Sequence, residues 1–318
     1  MAKLHSLRII LRTSLISWPF FTMMCRYGLR LATITVQQPN VTISTIQGYN
    51  GIANTIRVAV RKKHSAHQAD WTRIQSAGFE IKLNPRDQSS SAFIDVLGCW
   101  EPLITGLFMK VLSKGQVIVD VGANIGWYTL LSAALVGPRG LVISFEPEPS
   151  NFALLAQSIA RNAFSNVRLL RAAVGDREGQ TTLNLSSMSV GHTLRNSLSA
   201  AEFIGNLPVK IETLDSALSD LRTDIHLLKV DVEGAEPEVI NGSMKLISSG
   251  RIKRIVMEWN PGSWVGLGEN IRLLFHAYRV YWLQSSRTLV PAPPILMLKS
   301  LSLDELPTTP GYLYCIKK

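Results

Sequence analysis

Cysteine is scarce in this sequence, and its spacing excludes the sites that depend on it. Cys25, Cys99 and Cys315 are the three cysteines of 318 residues, and they lie far apart. Thiols so placed form neither a CxxC metal motif nor a disulfide framework. This usage fits a reducing compartment, so we expect a cytoplasmic protein.

Acidic residues are absent from the first 69 positions. That segment carries nine lysines and arginines, which leaves 24 basic against 23 acidic side chains in residues 70–318. The net charge of +10 therefore belongs to the N-terminal segment, and the rest of the chain is close to neutral. A protein that follows a phosphate backbone needs basic side chains clustered on its folded core. We therefore expect no nucleic-acid partner.

Long apolar runs are missing as well. The charge-free stretch from residue 15 to 24 contains Pro19 and is about half of the ~20 residues that span a bilayer. No clear small-residue cleavage site follows it, so a secretory signal has little support. We interpret residues 1–70 as a basic N-terminal extension. A loosely docked tail, an organelle transit peptide and peripheral contact with an anionic membrane surface all stay open.

The remaining sequence, residues 71–318, has the pattern of one α/β domain. Residues 71–112 lead into it, with a short strand in GFEIKLNPRD and a helix in EPLITGLFMKVL. From residue 113 onward short β-branched strands alternate with helices, which is typical of a mostly parallel sheet covered by helices. Strands are predicted at 117–121, 141–145, 167–171, 225–230 and 255–258, and helices at 127–135, at 150–162 with Ser150 as N-cap, and from Glu236 to before Gly250.

A polar insertion interrupts this alternation between residues 176 and 219. It is rich in serine and ends in the strand-like VKIETLD. Insertions at the C-terminal ends of parallel strands commonly carry the loops that select a substrate. His192 lies in this insertion and is a candidate general base because the pKa of histidine is near neutrality. A solvated loop histidine is the simpler alternative.

The strongest motif is VIVDVGANIGWYT, a buried strand followed by a glycine-rich turn and a helix. A dinucleotide fingerprint would place a glycine where Asn124 stands, between Gly122 and Gly126. The carboxylate of Asp120 would repel a pyrophosphate, whereas it would favour a ligand with an ammonium group and no phosphate. S-adenosylmethionine is such a ligand. A tight turn without a ligand is the alternative interpretation.

Glu146 ends the second predicted strand, 24 positions after Gly122. An acid near this spacing commonly accepts the ribose hydroxyls of a bound nucleoside. After the third strand, Ala173 and Asp176 are predicted to lie near the adenine. We therefore expect Asp120, Gly122, Asn124 and Gly126 around the methionine end of the cofactor, and Glu146 on its ribose.

Acidic side chains are concentrated in HLLKVDVEGAEPEVINGS. Lys229 and Asp231 are two residues apart and should share a strand face, and Glu233 and Glu236 follow closely. Neighbouring carboxylates can raise one another's pKa, which suits removal of a hydroxyl proton. Asp231, with Glu233 beside it, is the predicted site of acceptor activation; an ion pair with helix-capping acids is the alternative. The spacing lacks the His or Cys of a transition-metal site, so no metal is expected, although magnesium on these acids stays open.

The ordered set DVGANIGWYT, FEPEP, AAVGDREG, ETLD, LKVDVEGAE and VMEWN resembles the FkbM-type methyltransferase family over residues 100–260. The resemblance implies a Rossmann-like methyltransferase fold with a seven-stranded, mostly parallel sheet, helices on both faces and an antiparallel last strand, for which GYLYCIKK is suited. It also implies S-adenosylmethionine-dependent O-methylation of hydroxyls on sugars, glycans or other small molecules. A nicotinamide-dependent oxidoreductase and a non-catalytic nucleotide-binding module are the alternatives. The sequence does not indicate an oligomeric state.

Overall fold

A computed structural model of the chain describes residues 70–84, 87, 90–195, 203–265, 268–285 and 296–318, with four short segments nearer the N-terminus. These segments are the strands β1 (Val36–Gln38), β2 (Val41–Ile43), β3 (Thr45–Ile46) and β4 (Ile56–Arg57), paired β1 with β2 and β3 with β4. The predictions for the rest of the N-terminal extension fall outside the described residues. Within the described part of the chain, no helix has the length and apolarity to cross a membrane.

The domain beyond residue 70 alternates strands and helices. The helices are α1 (Ser90–Leu97), α2 (Pro102–Val111), α3 (Trp127–Val136), α4 (Pro149–Arg161), α5 (Leu214–Ala217), α6 (Glu236–Asn241), α7 (Met244–Ser248) and α8 (Gly268–Ala277). The strands are β5 (Trp71–Ile74), β6 (Phe79–Lys82), β7 (Val117–Val121), β8 (Leu141–Phe145), β9 (Val167–Leu170), β10 (Ala173–Val174), β11 (Gly179–Ser186), β12 (Phe203–Glu212), β13 (Leu227–Val230), β14 (Arg254–Trp259), β15 (Tyr278–Ser285), β16 (Leu296–Ser300) and β17 (Gly311–Lys317).

The central sheet has the strand order β16-β15-β17-β14-β13-β7-β8-β9. Strands β9, β8, β7, β13 and β14 are parallel, and β17 lies antiparallel between β14 and β15. The predicted fold class and the antiparallel role of GYLYCIKK are confirmed. The predicted seven strands become eight, because Leu296–Ser300 pairs with the free edge of β15. That segment lies outside the region of family resemblance, which gave no sign of it.

The middle strand β7 shows why this sheet is covered on both faces. All five of its residues are buried. Successive side chains of a strand point to opposite faces, and accordingly Val119 and Val121 pack into one hydrophobic core while Ile118 packs into the other. A continuous apolar run is what a parallel strand needs when helices cover both sides.

Residues 71–112 pack against the second of these cores. The hairpin β5–β6 contributes Phe79 and Ile81, and α2 contributes Leu107 and Phe108. The helix α2 begins at Pro102, directly after Glu101, and this junction places Glu101 beside the C-terminal ends of the parallel strands. The lead-in segment therefore helps to build the site described below.

The insertion after β10 folds as a hairpin. Strands β11 and β12 pair antiparallel, and β12 pairs in parallel with β10 to give a three-stranded sheet. The predicted strand in VKIETLD is part of β12, whereas TTLNLSS, interpreted from sequence as a polar insertion, forms β11. The alternation of apolar and polar residues in β11 is hard to recognise, because Leu183 is its one apolar residue that is fully buried. Leu183 packs with Val209 and Ile211 in a small core.

Two helix predictions need correction. The N-cap of α4 is Glu148, whose carboxylate accepts the N–H of Asn151 at 2.6 Å, and Ser150 lies inside the first turn. The helix predicted from Glu236 toward Gly250 is divided at Gly242 into α6 and α7. A side chain at Gly242 would collide with the backbone of Gly175, so this close approach requires glycine.

Candidate active site

A cavity opens at the C-terminal ends of the parallel strands β7, β8, β13 and β14. One end is bounded by Glu146, which follows β8. The other end is bounded by Lys229, Asp231 and Glu233 at the end of β13. Open α/β sheets bind their ligands at this edge. The sequence motifs therefore meet in one space.

The turn between β7 and α3 forms the floor of the cavity. Gly122, Asn124 and Gly126 have φ values of 79°, 51° and 100°, which lie in the left-handed region. A Cβ on Gly122 would overlap the carbonyl oxygen of Asp231, so this position requires glycine because the backbones of β7 and β13 approach closely. Asn124 donates its side-chain amide to the carbonyl of Ser189 at 3.0 Å, which ties the turn to the hairpin segment.

Asp120 lies beneath this floor and does not line the cavity. It is fully buried, and its Oδ2 accepts the hydroxyl of Thr129 at 2.7 Å. Its Oδ1 has no hydrogen-bond partner and lies 3.6 Å from Nζ of Lys229. Asp120 was predicted to contact the methionine end of the cofactor. In the structure any influence of Asp120 passes through Lys229 and Thr129.

Glu146 has the arrangement expected of a group that binds a diol. Its Oε2 accepts the N–H of Asn124 at 2.7 Å, and its Oε1 accepts the N–H of Glu148 at 2.9 Å. The side chain is 5% exposed, and burial raises its pKa to about 7 despite these two backbone donors. The donors fix both oxygens, and each oxygen keeps a lone pair for a ligand hydroxyl.

The pKa of Glu146 predicts a pH-dependent stability. The pKa of this buried carboxyl in the folded state, about 7, exceeds its ordinary value of 4.5. Its contribution to stability is therefore complete below about pH 4.5 and is lost as the pH rises through 7. Relative to Glu146→Gln, the wild-type free energy of unfolding should fall by up to about 3 kcal/mol between pH 4.5 and 7.5.

Chemical denaturation of both proteins across this pH range, at fixed ionic strength, measures that difference. The substitution also disturbs two backbone hydrogen bonds, and their preference for the charged form is already included in the folded-state pKa. A constant difference between wild type and Glu146→Gln would contradict the raised pKa.

Lys229 compensates the negative charge of the carboxylates at the other end of the cavity. Its Nζ lies 3.1 Å from Oδ2 of Asp231, as the two-residue spacing predicts, and 5.0 Å from the centre of the Tyr128 ring. Burial opposes a charge on this lysine, but the carboxylates of Asp231, Asp120 and Glu101 outweigh burial and raise its pKa. Lys229 is therefore a permanent cation.

Three carboxylates converge beside Lys229. Asp231, Glu233 and Glu258 each offer an oxygen, and these oxygens lie within 4.8 Å of one another. Burial and the neighbouring negative charges raise the pKa of Glu258 to about 10 and that of Glu233 well above its usual range. The cluster can share protons, accept hydroxyl hydrogen bonds or supply oxygen ligands to a divalent cation. The expectation of no metal stays a prediction.

Glu236, which follows these acids in sequence, has a different position. It is fully buried, and its Oε1 accepts the N–H groups of Val232 and Gly234 at 3.0 and 3.1 Å. It therefore holds the loop that carries Glu233, whose φ of 53° is unusual for a residue with a side chain. This is the helix-start role weighed in the sequence analysis.

His192 and Ala173 line the cavity, whereas Asp176 does not. The Nδ1 of His192 accepts the N–H of Ser186 at 3.0 Å, and burial lowers the pKa of the ring. A neutral ring bonded in this way carries its proton on Nε2, so it presents a donor to the cavity and is poorly arranged as a base. Asp176 is exposed and pairs with Arg177 at 3.4 Å, because the chain turns away into the hairpin after Gly175.

Three further residues close the cavity near Lys229 and were not predicted from the sequence: Glu101, Tyr128 and Tyr312. Tyr128 donates its hydroxyl to Oε2 of Glu101 at 2.9 Å, and Tyr312 donates to Oε1. Glu101 and Tyr312 are separated by 211 positions, so no local pattern connects them. The available signal was the Glu-Pro start of α2, which was interpreted as a helix start alone.

Comparisons with known proteins find similar sequences among methyltransferases. The model of the methyltransferase FkbM domain matches residues 120–280. The chain is 29% identical to methyltransferase sdnD of Sordaria araneosa, over 41% of this chain and 61% of that protein. It is 29% identical to 31-O-demethyl-FK506 methyltransferase FkbM of Streptomyces tacrolimicus, over 51% and 72% respectively. It is 26% identical to hexuronic acid methyltransferase AglP of Haloferax volcanii, over 49% and 61%. The matched region spans about three fifths of the length of sdnD and AglP.

Proposed function

The chain belongs to the FkbM methyltransferase family, and from this premise we propose that it transfers the methyl group of S-adenosylmethionine to a hydroxyl oxygen of a sugar or another small polyhydroxyl acceptor. The observation that carries the proposal is the continuity of the cavity. It joins a carboxylate suited to ribose, Glu146, to a carboxylate suited to a reacting hydroxyl, Asp231.

The donor end of the cavity supports S-adenosylmethionine as the cofactor. Glu146 would accept the ribose hydroxyls, while Phe145 and Ala173 offer apolar walls for the adenine. Beyond them the cavity is lined by Asp231 and Glu233. The charges of an ammonium and a sulfonium group would stabilise these acids in their ionised form, whereas the charge of a pyrophosphate would oppose it. This argues against the nicotinamide alternative.

The acceptor end supplies what methyl transfer to an oxygen requires. The S–CH₃ bond breaks with its electron pair going to sulfur, the O–CH₃ bond forms, and the hydroxyl proton must leave. Positioning of donor and acceptor contributes up to about 7–11 kcal/mol in favourable cases. A carboxylate that accepts the proton adds a factor of about 10²–10⁴. Asp231, fixed by Lys229 at 3.1 Å, can accept a hydrogen bond from a hydroxyl of the acceptor.

The charge of the acceptor end bears on the substrate class. Among the described residues that line the cavity, Lys229 is the one lysine or arginine, against the carboxylates of Glu101, Asp231, Glu233 and Glu258. The relative AglP is named for a hexuronic acid. Asp231 already pairs with Lys229 at 3.1 Å, so a carboxylate beside the reacting hydroxyl of an acceptor would find no unpaired cation among these residues and would be buried uncompensated. We therefore place the acceptor among neutral hydroxyl compounds.

Calorimetric titration with S-adenosylmethionine, and separately with NADH, tests the cofactor. We expect binding of S-adenosylmethionine in the micromolar range and none of NADH. Glu146→Gln should weaken the binding by roughly 10- to 100-fold, since hydrogen bonds to a charged group contribute about 1.5–3 kcal/mol. Glu178→Gln is the exposed control and should bind as the wild type does.

The same titration separates the alternatives. NADH binding without S-adenosylmethionine binding would favour an oxidoreductase. For the acceptor, tritiated methyl transfer is followed with a panel of neutral glycosides, uronic acids and polyols. Transfer to uronic acids alone would contradict the neutral acceptor. Tight cofactor binding without transfer to any compound of the panel would favour the non-catalytic module.

A further inference from the structure

We propose that Glu101, held between Tyr128 and Tyr312, is a catalytic residue that accepts the proton of the acceptor hydroxyl. The inference rests on the proposed function and adds to it a group from outside the matched family region, residues 120–280. It is carried by three observations: the backbone conformation at Glu101, the two phenol contacts and the charges that surround the carboxylate.

The backbone at Glu101 directs the side chain into the cavity and away from the helix that this residue would ordinarily cap. Glu101 is the N-cap of α2 and has φ 39° and ψ 75°, a left-handed conformation. An N-cap carboxylate usually accepts an N–H of the first helical turn, but Glu101 makes no such hydrogen bond. Strained residues of this kind are concentrated at functional sites. Here the strain leaves a carboxylate on the cavity wall.

The two tyrosines come from elements that are far apart in sequence. Tyr128 lies in the first turn of α3, and Tyr312 lies on β17 directly opposite Glu258 of β14. Burial raises the pKa of both phenols well above 10, so they keep their protons and act as donors. Each phenol fixes one oxygen of Glu101. A fixed carboxylate needs little reorganisation when a reacting hydroxyl approaches.

The surrounding charges give Glu101 a basicity suited to neutral pH. Burial and the charge of Asp231 raise its pKa to about 7, against the opposing effects of Tyr312, Lys229 and Tyr128. The negative charge of Glu101 in turn raises the pKa of two neighbouring acids, Glu233 and Glu258. A base is most effective when its pKa lies near the working pH.

Asp231 and Glu101 then have different tasks. Protonation of Asp231 would remove its ion pair with Lys229, whose Nζ lies 3.1 Å away. Asp231 is therefore better suited to orient the acceptor by accepting a hydrogen bond from a second hydroxyl, which leaves the one proton of the reacting hydroxyl to Glu101. In the transfer step the acceptor O–H bond breaks, its proton becomes the carboxyl proton of Glu101, and the O–CH₃ bond forms as the S–CH₃ bond breaks. The product is neutral S-adenosylhomocysteine, and Glu101 returns its proton to solvent.

The first test does not depend on the acceptor. The full chain, labelled with carbon-13 at the glutamate δ carboxyls and loaded with S-adenosylhomocysteine, is titrated by NMR, and the Glu101 signal is assigned by its loss in Glu101→Gln. We expect a midpoint near 7 that moves upward in Tyr312→Phe, because a donor to the charged form is lost. A midpoint near 4.5, or no response to Tyr312→Phe, would overturn the proposal.

The second test uses the best acceptor of the glycoside and polyol panel. Glu101→Gln should lower kcat by roughly 10²- to 10⁴-fold, leave the affinity for S-adenosylmethionine unchanged and remove the acidic limb of the pH profile, and Glu101→Asp should restore part of the rate. A kcat of Glu101→Gln within threefold of the wild type overturns the proposal. Failure of the wild type to bind S-adenosylmethionine would instead overturn the proposed function. The NMR titration would still measure the protonation of Glu101.

Discussion

Replacing Gly122 by alanine should unfold or severely destabilise the chain and abolish binding of S-adenosylmethionine. Gly122 has φ +79°, and an added Cβ would overlap the carbonyl oxygen of Asp231 and lie 2.9 Å from its carbonyl carbon. The left-handed conformation costs an alanine about 1–2 kcal/mol. The clash adds about 1–3 kcal/mol, because neither backbone can rotate away as a side chain would.

A matched variant isolates the clash. Gly115 has φ +81°, nearly the same conformation, but nothing lies within 4 Å of the position of an added Cβ. Gly115→Ala should therefore lose about 1–2 kcal/mol and keep its cofactor affinity. Urea unfolding and calorimetric titration compare the two variants. Equal losses of stability, with equal retention of binding, would show that the close approach of β7 to β13 is not essential.

Gly122 could be recognised from the sequence, but the reason why a glycine is required there could not. The glycine-rich turn after a buried strand was sufficient to predict the turn, its strand and its helix. The partner of the close approach is Asp231, more than 100 positions away, and sequence spacing does not show which strand lies beside β7. The motif predicted a ligand beside this turn, and Gly122 does line the cavity; the structure adds that its Cα faces the carbonyl of Asp231.

Because sequence spacing does not show which elements are neighbours, some residues of the site could be predicted from the sequence and others could not. Glu146, Lys229 and Asp231 were found because each ends or follows a strongly apolar strand, and parallel strands bring their C-terminal ends together. Asp120 was found too, but strand alternation turns its side chain beneath the floor of the cavity. Glu101 and Tyr312 escaped because a helix start and an antiparallel strand converge only after the whole sheet has formed.

Lys229 is the residue on which the charge of the site depends most. Its Nζ lies 3.6 Å from Oδ1 of Asp120 and 3.1 Å from Oδ2 of Asp231. Oδ1 of Asp120 has no hydrogen-bond partner, so Lys229 is its source of compensation. Lys229→Met keeps much of the apolar stem and removes the cation. Removing one partner of a buried ion pair typically costs about 3–5 kcal/mol, because the remaining charge stays buried and uncompensated.

Lys253 provides the control for this substitution. It pairs with Asp224 at 2.7 Å, but its side chain is 38% exposed and that of Asp224 is 45% exposed. An exposed pair contributes about 0–1 kcal/mol, so Lys253→Met should change stability little. If both variants lost equal stability, burial would not be the cause. Adding Asp120→Asn to Lys229→Met should recover part of the loss, since it removes one of the uncompensated charges.

The pH dependence of the Lys229→Met variant follows from the same charges. Burial already raises the pKa of Asp120 in the folded wild type, and the nearby ammonium of Lys229 opposes that rise. Without the lysine, the folded-state pKa of Asp120 rises further above its unfolded value. The variant's stability should therefore be greatest below about pH 4 and fall as the pH rises through the folded-state pKa. Unfolding measured from pH 4 to 8 should thus show the gap to wild type widening with pH, whereas a gap independent of pH would indicate lost packing and not lost charge.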